Sequence, residues 1–112
     1  MQKLLENISG ELYSKKSFIG QAHEYGNLDV SELLQLGDLI NLEVTNLNKT
    51  VVSGLVSSFL HILFLLKINE VKISSKISPD NVFEYICILI KLLVSNQPIN
   101  NLKVYEKELG LL

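Results

Sequence analysis

Seventeen consecutive residues, 50–66, lie between Lys49 and Lys67 without a single charge, and no other feature narrows the folding options as much. Such a run has to leave water, and it can enter either a bilayer or a protein core. As a helix it reaches about 26 Å, short of a hydrocarbon layer about 30 Å thick. Ser53, Ser57, Ser58 and His61 interrupt it, and imidazole is a costly passenger in lipid. The second apolar run, 82–94, carries Glu84 and Lys91 at its centre. Both runs are therefore expected to be core helices of a soluble domain rather than membrane spans.

Around them the apolar spacing is helical. Leu4, Leu5, Ile8 and Leu12 outline a first amphipathic helix over 2–13, and Phe18, Ile19, Ala22 and Tyr25 a short second one closed by Gly26-Asn27. Asp29, with Glu32 three residues on, resembles a capping box. Behind it Leu33, Leu36, Ile40, Val44 and Leu47 hold one face of a third helix over 30–47, in which Gly37 is a candidate bend. The fourth, 51–67, is apolar around most of its circumference and so belongs at the centre of a bundle. Ser78-Pro79-Asp80 opens a fifth, 79–95: a hydroxyl cap, a proline where its missing N–H costs nothing, and an acid at the positive end of the dipole. Val82, Phe83, Ile86, Leu89, Ile90 and Leu93 are its expected core face, and Asp80, Glu84, Lys91 and Ser95 its wet stripe. A last short helix would place Leu102, Tyr105, Leu109 and Leu112 on one side. The expected fold is all-α, one domain over residues 1–112, a bundle of five or six helices centred on the fourth and fifth. Its minor β feature would be a short pairing between residues 71–73 and 103–105.

Composition narrows the chemistry. The 112 residues include one Cys, so no intramolecular disulfide or thiolate zinc site can form, and a reducing compartment suits the chain. Charged residues within 1–7 leave no apolar signal region, so a cytoplasmic protein is expected. All ten bases are lysines facing twelve acids. Without guanidinium forks or net positive charge, nucleic-acid binding is not expected. Ten Asn, eleven Ile, no Trp and one Ala are the bias of an AT-rich coding region, frequent in small bacterial accessory genes.

No reaction centre assembles. His23-Glu24 is half of a helical zinc-protease pattern, but position 27, where the second imidazole should stand, is Asn. His61 is expected as a core histidine bonded to a neighbouring hydroxyl such as Ser57 or Ser58. Cys87 has no basic residue before Lys91 to lower its pKa and reads as structural. The six glycines never cluster into a phosphate cradle. Neither a catalytic role nor a cofactor nor a metal is expected.

The exception to this blandness is charge segregation. Between Lys16 and Lys49 lie 32 residues holding Glu24, Asp29, Glu32, Asp38 and Glu43 and no base, whereas residues 49–112 set seven lysines against five acids. A surface of one sign steers an oppositely charged partner. Those five acids are therefore the candidate partner-binding residues, while Glu106 and Glu108 are expected to matter much less.

In size, absence of a signal region, acid-only segment 24–43 and lack of catalytic groups, the chain resembles bacterial toxin-immunity proteins of the contact-dependent-inhibition and colicin type. The resemblance lies in the whole-chain profile and not in a motif. It implies a cytosolic inhibitor that binds a cognate basic toxin domain, such as a nuclease or ribonuclease, and covers its active site. The alternative is a helical assembly or regulatory subunit, such as a homodimer or secretion chaperone, using the apolar faces of the fourth and fifth helices. A membrane-associated accessory peptide is the third reading.

Overall fold

The computed structural model describes residues 26–112, so the helices expected over 2–13 and 18–25 lie outside the described residues, as does Glu24. The described chain is mainly helical: β1 (Asn27–Leu28), α1 (Val30–Glu43), a 3-10 turn (Val44–Asn46), α2 (Lys49–Lys67), β2 (Lys72–Ile73), α3 (Pro79–Ser95) and α4 (Leu102–Glu108).

Local chemistry accounts for most boundaries. The Asp29 carboxylate accepts from the Ser31 and Glu32 amides, 3.0 and 3.4 Å, and starts α1. The helix expected to run to 47 stops at Glu43, because Val44, Thr45 and Asn46 are poor helix formers and the chain tightens into the 3-10 turn. Asn48 then caps α2, its Oδ1 accepting from the Val51 amide at 2.8 Å, so α2 begins two residues earlier than its apolar pattern. Ser78 caps α3 through the Asp80 amide, Pro79 takes the first turn, and Asn96 closes the helix in the left-handed conformation, φ 57°. These bounds match the expected 79–95.

The expected pairing of 71–73 with 103–105 does not occur: Lys103 and Tyr105 are helical in α4, where Leu102 and Glu106 share the buried side one turn apart. The strand partner is instead β1, parallel to β2 with Asn27 opposite Lys72 and Leu28 opposite Ile73. The Lys72 amide donates to Gly26 O (2.6 Å), the Ser74 amide to Leu28 O (2.9 Å), and Ser74 Oγ accepts from the Val30 amide at 3.0 Å. The last bond ties the strand pair to the first turn of α1.

The core sits around α3, which packs on both α2 and α1. Val82, Tyr85, Ile86, Leu89, Leu92 and Leu93 are buried there. Phe83 is exposed and Ile90 half-buried, against expectation, because two neighbouring helices rotate the buried arc toward Tyr85 and Leu92. Each such side chain contributes about 1.5–3 kcal/mol. Among the described residues α2 is not the enclosed centre its composition implies. Leu55, Phe59, Ile62 and Leu66 face inward, while Leu60 and Phe64 are 53% and 55% exposed.

Gly37 does not bend α1. It is buried beside α3, where a Cβ would overlap the Tyr85 hydroxyl and stand 3.3 Å from Leu89 Cδ2. The missing side chain is the space that Tyr85 occupies.

Candidate partner-binding face

Four of the five expected acids fall on or next to α1, and they separate into distinct situations. Asp29 is exposed at the start of the helix with its carboxylate turned onto the first-turn amides. Glu32 and Glu43 are half-buried and eleven residues apart. Three helical turns put them on one flank, about 16 Å apart along the axis. Glu43 Oε2 accepts from Asn46 Nδ2 at 2.8 Å. Asp38 stands about 120° round the helix from Glu32 and points toward α4, where Lys103 Nζ donates to its Oδ2 at 2.6 Å. The structure therefore aligns Asp29, Glu32 and Glu43 along one border of α1 and assigns Asp38 to an ion pair on the other.

That ion pair is the outer end of a chain reaching into the core. Lys103 Nζ also donates to Glu106 Oε1 at 3.1 Å, and the Tyr85 hydroxyl donates to Glu106 Oε2 at 2.8 Å. Glu106 is fully buried, so the expectation that it is a dispensable surface acid is overturned. A buried carboxylate is tolerated only when paired and hydrogen-bonded, and here it receives a bond from α3 and one from its own helix. Burial pushes the Tyr85 phenol far above its ordinary range, reinforced by its hydrogen bond to Glu106 and by the negative charges of Glu106 and Asp38. The hydrogen bond to Asp38 chiefly raises Lys103, with Glu106 adding to it against a small cost of burial. Together the four side chains fasten α4 to α1 and α3.

A second cross-link joins the same elements. Asn41 Nδ2 donates to Ile99 O (2.9 Å) and Asn41 Oδ1 accepts from the Ile99 amide (2.6 Å), so one side-chain amide pairs with the α3–α4 connection as a strand would. Neither fastening carries a sequence motif. The only signal available was a polar residue, Asn41, in a helix otherwise rich in leucine.

The other chemistry-bearing residues stay apart. His61 is half-buried on α2, not a core residue, with its ring centroid 6.4 Å from that of Phe64. The Ser58 hydroxyl donates back to Gly54 O at 2.9 Å. Cys87 is a half-buried free thiol on α3. His23 lies outside the described residues. No three His, Cys, Asp or Glu side chains converge as metal ligands among the described residues. An open cleft of about 320 Å³, lined by Leu47, Val52, Ser53, Leu93 and Val94 with Lys49 and Asn96 at its edge, contains no nucleophile–base pair. Comparison with protein-family models, curated proteins and solved structures found no match.

Proposed function

We propose that this protein is a cytoplasmic, immunity-type inhibitor that binds a basic toxin domain, a nuclease or ribonuclease, and covers its active site. The observation that carries the reading is the border of α1 on which Asp29, Glu32 and Glu43 align, within a 32-residue stretch that contains no base. Lys103 comes from elsewhere in the chain, and it pairs with Asp38 on the other side of the helix. The aligned carboxylates keep their negative field on the border that faces away from that lysine. Enzymes acting on polyanions present positive clefts, which such a border would meet at a rate set by charge steering. Glu24 and Asp38 belong to the same acidic segment. Asp38, tied to Lys103, contributes less to capture than Glu32 or Glu43.

The test is protection. Produced together with a basic nuclease toxin encoded beside it, the protein should restore growth. Asp29→Lys, Glu32→Lys and Glu43→Lys combined should slow association at low salt by about tenfold or more and flatten its salt dependence. Reversal of Asp80 and Glu84 on the wet stripe of α3 serves as the control. Equal effects from both sets would make α1 an ordinary solvated face and remove the site assignment.

A helical assembly subunit is the second reading, favoured by the exposed Leu60 and Phe64 of α2. Sedimentation equilibrium separates the two readings, since an assembly subunit self-associates without any toxin.

A further inference from the structure

The outer side of α2 has apolar residues where solvent should be. Leu60, Phe64 and Ile68 follow one another at intervals of four, are 53%, 55% and 44% exposed, and run along one side of the helix. No charge interrupts that helix between Lys49 and Lys67. Single exposed leucines are ordinary, but an aligned row of large side chains marks a contact surface.

The arrangement of charge argues against a second copy as its cover. Two α2 faces packed antiparallel would set Lys49 of each copy near Lys67 of the other, and packed parallel would set like lysines side by side. No acid lies between Glu43 and Glu70 to offset either arrangement.

The start of the described chain points elsewhere. Gly26 accepts from the Lys72 amide, and its Cα lies where a Cβ would come within 3.3 Å of Glu70 O. The Glu70 amide in turn closes the end of α2 on Leu65 O at 3.0 Å. The 25 residues before Gly26 are therefore delivered to the C-terminal end of α2, beside the Phe64 and Ile68 end of the row. Their sequence contains a stripe of the right size: Leu4, Leu5, Ile8 and Leu12 at helical spacing, with Glu6 and Glu11 opposite in sign to the lysines that end α2. As a helix, 2–13 would measure about 18 Å, against about 22 Å from Ser53 to Ile68. Residues 14–25 can bridge up to about 40 Å, enough to lay the segment back along α2.

We propose that residues 2–13 of this chain are the cover of α2, docking their Leu4, Leu5, Ile8 and Leu12 stripe on Leu60, Phe64 and Ile68. The inference is independent of the toxin-binding reading, because it concerns the opposite chemistry on another helix.

The protein contains no Trp, so Phe64→Trp places a single fluorescent reporter on this face. In the full chain at a concentration where sedimentation shows a monomer, the indole should emit at short wavelength and resist acrylamide. Adding Leu5→Ser, Ile8→Ser and Leu12→Ser should raise quenching severalfold and shift emission to the red, with helical dichroism otherwise retained. If that variant unfolds, Ile8→Ala alone decides: raised quenching supports the docking and unchanged quenching overturns it. An indole already exposed in the parent monomer, one shielded only in a dimer, or one shielded only after phosphatidylglycerol vesicles are added would each overturn it.

Discussion

α2 and α3 are similar in length, 19 and 17 residues, and both are strongly apolar, yet they are used differently. α3 carries Asp80, Glu84, Lys91 and Ser95 along one line, so its solvent side is defined and the rest of its circumference fills with core residues from two neighbours. α2 has no charge within its span, and its outward side is Ser53, Ser57, Leu60 and Phe64, all exposed. Apolar content says that a helix must be buried somewhere. The placement of its few charges says on which side, and in α2 that instruction is missing.

The comparison can be broken most directly at the core. Phe59→Ala in α2 and Leu89→Ala in α3 remove fully buried side chains and should each cost about 3–5 kcal/mol in chemical denaturation. A much smaller loss at Phe59 would mean that the inward side of α2 is also loosely held. Tyr85→Phe should cost about 1.5–3 kcal/mol, since the buried Glu106 carboxylate loses a charge-assisted bond. It should also weaken the alkaline loss of stability. The unfolded phenol ionises near pH 10 while burial keeps the folded one protonated well above that, so Tyr85 favours the fold fully below about pH 10 and progressively less above it. Lys103, also raised, acts in the same direction, so Tyr85→Phe reduces the effect without abolishing it.

Gly37→Ala should cost about 1–3 kcal/mol by overpacking, and combination with Tyr85→Phe should cost less than the two separate losses added together, because the overlapping atom is the hydroxyl. Strict additivity in that cycle would show that α1 and α3 shift apart instead. The smallest contrast lies on the surface. Val94→Ala on α3, 70% exposed, should stay within about 0.5 kcal/mol of the parent, whereas Phe64→Ala should cost about 1–2 kcal/mol if the face is covered as proposed. Equal, negligible effects would leave the outward side of α2 in water.

The parts of this fold that could be read in the sequence are those decided by neighbours within a turn. Asp29, Ser78, Pro79 and Asn96 act on adjacent amides or on their own backbone, so α3 and the start of α1 were visible as local chemistry. Asn48 belongs to the same class and could have been recognised as a cap; the apolar onset at Val51 drew the boundary instead. What stayed hidden depends on distant partners. The burial of Glu106 requires Tyr85 twenty-one residues earlier, and the position of Tyr85 requires the absent side chain of Gly37. Periodicity gave the core of α3 its spacing but not its angle, which is why Tyr85 replaced Phe83. In the candidate site the sign of the segment was legible and its geometry was not: nothing near Asp38 in sequence announces Lys103, sixty-five residues away.

The two-rung pairing of β1 with β2 has a bearing on time as well as shape. It joins residues 45 positions apart, so its formation closes the longest loop used by the start of α1, and the entropy of that closure is lost before two backbone bonds can compensate it. Such a contact is expected late in folding, after α2 has formed and seated against α3, and with it comes the final orientation of the acidic border. Amide protons of Lys72 and Ser74 would then exchange through a partial opening that releases β1 and leaves the α2–α3 pair intact, making the direction in which α1 points the first property lost as the molecule breathes.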